Sequence, residues 1–245
     1  MTAPMLEIEH LRFAWPGSHD DCLAIESLTV AAGETVFLYG PSGCGKSTLL
    51  SLMAGVLQCR RGNIALNGRS WSSLRPAQRD RYRVDHMGYI FQQFNLLPYL
   101  SVLDNTLAPC RFSSVRARAA ILQSGTLQLA AQTWLGGMGL PSQVWDRPAR
   151  DLSVGQQQRV AAARALIGNP AMVIADEPTS ALDENRRDEF LDLLLSSCQA
   201  TNSALVFVSH DQRMAGRFQR RIALPDINQA TPESRAAVRG TQGLP

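Results

Sequence analysis

A chain of 245 residues, 45% apolar and 18% charged, can bury one large core as an ordinary globular domain. Its net charge of +3 is too small to argue for nucleic acid or an anionic membrane surface, and its five scattered cysteines, with no CxxC pair, argue against a disulfide framework or zinc cluster and for a reducing compartment. No apolar run approaches the roughly 18 residues of a membrane span, and residues 1–9 lack the basic run and apolar core of a secretory signal.

In chain order, residues 5–15 and 23–30 alternate apolar and polar side chains, the pattern of half-buried strands. Residues 35–39 form a short apolar run that stops at a glycine-rich turn, and 46–57 then has helical character. Residues 64–66 and 87–91 read as short strands. Between about 101 and 143 the texture changes to Leu, Ala, Gln and Arg, with apolar residues such as Ile121, Leu122 and Leu129 at helical spacing, which predicts a helical insertion. Alternation returns with a helix at 156–167, a buried strand at 172–175, a helix at 183–198 and a buried strand at 204–208. Strands alternating with helices predict an α/β fold whose largely parallel sheet is covered on both faces. Residues 225–245, aperiodic and carrying Pro, Gly, Thr and Gln, predict a loose tail.

Gly40-Pro41-Ser42-Gly43-Cys44-Gly45-Lys46-Ser47-Thr48 matches G-x-x-x-x-G-K-[ST] and lies between an apolar strand and a helix, the context a phosphate-binding loop requires. Its glycines let backbone N–H groups converge on phosphate oxygens where side chains would intervene. The helix beginning near Lys46 adds its positive end to the same place. Lys46 is expected to reach the β- and γ-phosphates as a point charge, and the Ser47 hydroxyl to ligate Mg2+.

The strand at 172–175 runs straight into Asp176-Glu177, which puts two acids at the carboxyl edge of the sheet, where ligands bind in open α/β folds. There Asp176 would orient Mg2+ through its water shell, and Glu177 would face the γ-phosphate as general base or water-positioning group. Acids after a strand often only start a turn or cap a helix. Downstream of a complete phosphate loop, the catalytic reading is the stronger one.

Asp151-Leu152-Ser153-Val154-Gly155-Gln156-Gln157-Gln158-Arg159 resembles the LSGGQ signature of the ABC ATPases and precedes Asp176-Glu177 at that family's spacing. Further elements follow in family order. Gln92, in Ile90-Phe91-Gln92-Gln93, looks like the Q-loop glutamine; Ser180-Ala181-Leu182-Asp183 looks like the D-loop; His210 looks like the switch histidine. Trp15, in Phe13-Ala14-Trp15-Pro16-Gly17, sits where the family places an aromatic that stacks on adenine.

The resemblance covers roughly residues 5–224. It implies an α/β P-loop NTPase cassette at 1–224, with a mostly parallel core sheet, an N-terminal antiparallel β subdomain and an α-helical subdomain inserted at about 93–160, followed by a tail at 225–245. It implies ATP and Mg2+ as cofactors, with Ser47, Gln92 and Asp176 around the metal and Lys46, Glu177 and His210 catalytic. The nucleotide would lie against Trp15, the loop from Gly40 to Thr48, Gln92 and Asp176. Ser153, Gly155 and Gln156 of a second copy would close over it, so the ATP-bound form would be a homodimer. Two departures stand out: Val154 replaces the usual second glycine of the signature, and Trp15 stands where many relatives have tyrosine.

Residues 91–98 and 152–159 look like the branch that includes the macrolide-export, lipoprotein-release and FtsE-type cell-division ATPases. In relatives the region 92–100 seats a permease's coupling helix, and Phe94-Asn95-Leu96-Leu97-Pro98-Tyr99-Leu100, a mostly apolar loop, suits such a partner. The expected function is ATP hydrolysis that drives an integral membrane permease of the macrolide-export or lipoprotein-release type. The chain would work in the cytoplasm, peripheral on the inner membrane through that permease. FtsE-like signalling through a non-transporting membrane partner is the near alternative. A soluble ABC ATPase acting on nucleic acid is disfavoured by the single cassette, the lack of heptads and the lack of a metal cluster.

Overall fold

The computed structural model describes residues 4–180 and 182–230. It opens with β1 (Leu6–Phe13), β2 (Leu23–Val30) and β3 (Thr35–Tyr39), followed by α1 (Lys46–Met53). Next come β4 (Arg61–Leu66), β5 (Arg69–Ser70), α2 (Pro76–His86) and β6 (Met87–Ile90). The insertion holds α3 (Val102–Phe112), α4 (Ser114–Ser124) and α5 (Leu127–Gly137), after which α6 (Val154–Leu166) and β7 (Met172–Asp176) return to the core. The chain closes with α7 (Glu184–Thr201), β8 (Ala204–Val208), β9 (Arg220–Ala223) and α8 (Leu224–Ile227).

Two sheets result, an antiparallel one ordered β2-β1-β4-β5 and a parallel one ordered β6-β7-β8-β3-β9. The antiparallel sheet buries one face, so its strands alternate. In β1 the buried residues are Leu6 and Ile8, then Leu11 and Phe13, and the change of parity falls at a bulge where His10 takes a left-handed φ of 48°. Asn67 and Gly68, both at positive φ, make the two-residue turn from β4 to β5 that such a dipeptide favours. The parallel strands β3, β7 and β8 are covered on both faces, which explains their unbroken apolar runs. Alternate residues serve two cores: Val36 and Leu38 face the cluster shared with α1 and the antiparallel sheet, while Phe37 faces the cluster shared with α6 and α7.

Each helix of the insertion starts on a hydroxyl cap: Ser101 accepts from Asp104 N at 3.0 Å, Ser113 from Arg116 N at 3.0 Å, and Thr126 from Leu129 N at 3.1 Å. Arg116, only 2% exposed, fastens this insertion to the core. Its guanidinium donates to the carbonyls of Met87, Ala165 and Ile167, and so satisfies the last turn of α6 with a positive charge where the helix dipole favours one.

Residues 225–230 correct the expectation of a tail that is loose from Pro225. They include most of α8, and Asn228, 5% exposed, accepts from Ala24 N at 2.9 Å and donates to Cys22 O at 3.1 Å. Gln229 N adds a bond to Ala24 O at 2.8 Å, so this segment covers the open edge of β2. Residues 231–245 of the expected tail lie outside the described residues.

Strand β6 and helix α6 touch backbone to backbone: a Cβ on Gly88 would stand 2.2 Å from the carbonyl oxygen of Ala165. Gly88→Ala is therefore expected to destabilise the fold by about 1–3 kcal/mol through overpacking. Equilibrium urea unfolding checks this; an unchanged midpoint would mean that α6 can back away from the strand freely.

Candidate active site

Register across the parallel sheet assembles the site. Leu38 of β3 is level with Val208 of β8, and Val208 is level with Asp176 of β7. The chain beyond each strand therefore emerges at one edge: the glycine loop after β3, Glu177 after β7, and His210 after β8. Ile90 of β6 pairs with Ala175, which brings Gln92 to the same edge.

The glycine loop is shaped by close contacts. Gly45, at a φ of 104°, begins α1, and a Cβ there would meet Leu23 Cδ2 at 2.9 Å. A Cβ on Gly40 would meet Cys44 Sγ at 2.8 Å. Lys46 is 7% exposed, and its ammonium donates to Gly40 O at 2.9 Å and Pro41 O at 3.2 Å, bracing the loop's first turn. Cys44 is buried, and all five cysteines are free thiols.

Opposite the loop, Asp176 is hydrogen-bonded to Ser47. Burial, then repulsion from Glu177, raises its carboxyl above the usual carboxylate range, although Lys46 and the Ser47 bond pull the other way. Glu177 sits at a left-handed φ of 46°, held there by its N–H donating to Val208 O at 3.0 Å. This turn aims its carboxylate at His210, whose Nε2 lies 2.5 Å from Glu177 Oε1. Next to His210, hydrogen bonds from Arg213 hold Asp211 down to about 2, with Arg187 adding to the effect, which ties the turn to the start of α7. Gly40, Pro41, His210 and Gln212 share a cavity of about 380 Å3.

Trp15 lies in the connection between β1 and β2, 37% exposed, with its ring edge-on to Phe13 at 5.3 Å. The start of β2 is what touches Gly45, so this connection borders the glycine loop. Ser42, Gly43, Ser47 and Thr48 belong to the same loop and helix start.

Ser153, Gly155 and Gln156 are elsewhere. Ser153 caps α6 by accepting from Gln156 N at 3.3 Å, while Gln156 Oε1 accepts from Ser153 N at 3.1 Å. They line a separate cavity of about 280 Å3 with Leu182 and Arg186, and no residue of the glycine loop lines it. A single chain thus displays two separate surfaces. Ala181, in the expected D-loop, lies outside the described residues.

Several supporting residues escape sequence reading. Gln158, 1% exposed, donates from Nε2 to Pro178 O at 2.9 Å and so steadies the turn after Glu177. Asn105, fully buried, accepts from Leu97 N at 2.8 Å and donates to Leu97 O at 3.0 Å, fixing the apolar loop after Gln92. Gln158 stood inside the signature-like stretch. Nothing in the sequence marked Asn105.

Fold and site define a nucleotide-binding domain of the phosphate-loop α/β class, with the loop, an acid pair and a histidine at one sheet edge. The ABC transporter family profile matches residues 23–180, and the chain belongs to that family. It is 39% identical over 80% of its length to the lipoprotein-releasing system ATP-binding protein LolD of Hydrogenovibrio crunogenus, covering 81% of that protein. The LolD of Legionella pneumophila, strain Lens, is 36% identical over 84% of this chain and 89% of its own. Among solved structures, the dimeric ABC transporter cassette MJ0796 superposes with a TM-score of 0.77 at 29% identity, covering 89% of this chain and 94% of the other. The same cassette in a post-hydrolysis state with ADP and Pi gives 0.74 at 30% identity. The chain is an ATP-binding and ATP-hydrolysing transporter subunit.

The raised carboxyl of Asp176 has a sign that can be tested. Its native pKa exceeds the unfolded value, so the folded state favours the protonated form: the group costs nothing below the unfolded pKa, and its ionisation opposes folding increasingly as pH rises through the native one. Asp176→Asn is expected to raise the Tm of the nucleotide-free protein at pH 7, with the gain shrinking as pH falls toward 4; differential scanning calorimetry across that range checks it, and a gain that grows on acidification would contradict it.

Proposed function

We propose that two copies of this chain close on ATP and Mg2+, hydrolyse the nucleotide, and so drive a membrane permease of the lipoprotein-release type. The observation that carries the catalytic assignment is the placement of Glu177 Oε1 2.5 Å from His210 Nε2, on the sheet edge shared by Lys46 and Asp176.

The residues fit the two ligands. Backbone N–H groups of the loop from Gly40 to Thr48 would receive phosphate oxygens, with Lys46 supplying the point charge and Trp15 a face for the base. Mg2+ commonly binds through one or two carboxylates, phosphates and water, and Asp176 with the oxygens of Ser47 and Gln92 offers such a set. Bound there, the ion would neutralise charge building on the phosphates. Glu177 would align a water for in-line attack and receive its proton, while His210 holds the carboxylate in place and reaches toward the γ-phosphate.

That work requires bulk water to be excluded and the γ-phosphate to be held from both sides. The second surface supplies what the first lacks. Gly155 supports this reading, because a Cβ there would meet only Leu182 Cδ2, at 3.9 Å. A helix-weakening glycine with no crowding inside its own chain fits a backbone that must approach something outside it. Ser153 keeps its hydroxyl hydrogen free to donate, since the cap uses it as an acceptor. Val154, 48% exposed, borders that same approach.

The partner surface is an apolar cavity of about 430 Å3 between the core and the insertion, lined by Val84, Phe91, Ala108, Pro109 and Phe112 among others. Leu97 and Tyr99, in the loop that follows Phe91 in the chain, stand exposed at 41% and 69%. Among the described residues no helix is long and apolar enough to cross a membrane, so attachment would come through this surface, on the cytoplasmic side. The lipoprotein-releasing relatives favour a permease that handles lipid-linked cargo.

Glu177→Gln is expected to retain ATP binding while lowering kcat by about 10^2–10^4-fold, and to accumulate an ATP-bound dimer on size-exclusion chromatography. Hydrolysis at the wild-type rate would remove Glu177 from the role of base. Tyr99→Glu changes an exposed side chain, so Tm should hold while capture of the membrane partner in detergent pull-downs falls about tenfold or more, as loss of an exposed aromatic anchor predicts. Undiminished capture would move the docking site elsewhere.

A further inference from the structure

Helix α6 touches three functional segments of its own chain. Ser153 caps its first turn, and Gln158 in its second turn donates to Pro178 O, one residue beyond Glu177. Near its end, Arg164 donates from Nη1 to Asn95 O at 2.7 Å and from Nη2 to Phe94 O at 2.5 Å. Those two carbonyls belong to consecutive non-glycine residues in the left-handed region, with φ of 58° at Phe94 and 48° at Asn95. Such a pair is unfavourable for L-residues and persists only where its surroundings over-determine it.

We propose that Arg164 is a positioning residue that clamps the loop after Gln92 in this left-handed state and links its release to the catalytic turn through α6. The proposal rests on the assignment of Gln92 and the neighbouring apolar loop given above. The clamp has a fixed base: Arg116 fastens the last turn of α6 against β6, through Ala165 O, Ile167 O and Met87 O. It also has a definite counter-point. Asn105 holds Leu97, so the exposed stretch that includes Leu97 runs onward from two anchors, Arg164 on one side and Asn105 on the other.

The charge of Arg164 makes the clamp a two-state device. Among the described residues its side chain has these carbonyls as partners and no carboxylate. Burial already pushes its pKa below the usual arginine value. Letting go of Phe94 and Asn95 would leave a partly buried cation without acceptors, which is costly, while holding them keeps two strained residues in place. Intermediate positions satisfy neither. A partner pressing on Leu97 or Tyr99 biases that equilibrium, and because α6 is one hydrogen-bonded rod, Gln92, the turn after Glu177 and Ser153 respond together.

The test uses the full chain with Mg-ATP and the variants Arg164→Gln, Gln92→Ala and their combination. Amides of Phe94, Asn95 and Leu97 donate to Phe91 O, Gln93 O and Asn105 Oδ1, so hydrogen exchange reads the clamp at these positions. In Arg164→Gln the exchange of residues 94–97 should rise at least about tenfold, while β7 and β8 keep their protection. Its kcat should fall about tenfold with KM for ATP within about twofold, and the double variant should be no slower than Gln92→Ala alone. Unchanged loop exchange, or losses that multiply in the double variant, would overturn the clamp. Raised exchange with Gln92→Ala at the wild-type kcat would uphold the clamp and overturn the assignment of Gln92. Should Arg164→Gln fail to fold, Arg164→Lys, which keeps the charge and loses the fork, is read by the same criteria.

Discussion

The shared level at which β3, β8 and β7 end is the constraint on which the site depends. Leu38, Val208 and Asp176 are hydrogen-bonded neighbours in one parallel register, so the glycine loop, His210 and Glu177 leave the sheet side by side. A slip of one residue in any of these strands would turn its side chains to the opposite face and carry its candidate site residue out of line. The double-sided burial of β7 and β8 guards against that slip, because each strand must satisfy two packed cores at once.

Strain is present at the candidate site. Glu177 adopts a left-handed backbone that ordinary residues avoid, and its N–H bond to Val208 O keeps it there. Asp176 carries a carboxylate whose ionisation burial opposes. Both features cost stability in the empty protein. Both are tolerable because the surrounding sheet is fully packed, and both fit a site arranged to meet the charges of a phosphate and a cation.

The signature-like segment follows a different logic. Its capping box stabilises the start of α6 with side chains that belong to the chain itself, yet a Cβ on the half-buried Gly155 would make only an ordinary contact, with Leu182. The same helix is anchored at the far end by Arg116, whose donors saturate the carbonyls there. A rod fixed at one end and presented at the other can carry a change in the insertion to a facing subunit without rebuilding either core.

By itself the sequence determined the elements whose patterns are local. The limits of β3 and β8 coincide with their apolar runs, and the glycine loop and the acid pair were each visible from neighbours within a few residues, whereas α6 starts at Val154 on its Ser153 cap, two residues before the helix expected from 156. Helix α2 was not legible, because its residues are strongly polar and none is buried, so it leaves no periodic stripe. The tail expected to be loose from Pro225 instead contributes Asn228 to the edge of β2, a contact across 204 residues that no local pattern announces. Only the tertiary structure decided which ends share an edge, that Glu177 meets His210, and that Arg164 reaches Phe94 and Asn95. Those are long-range pairings fixed by strand order and register, whereas helices, strands and turns are fixed by the spacing of residues along the chain.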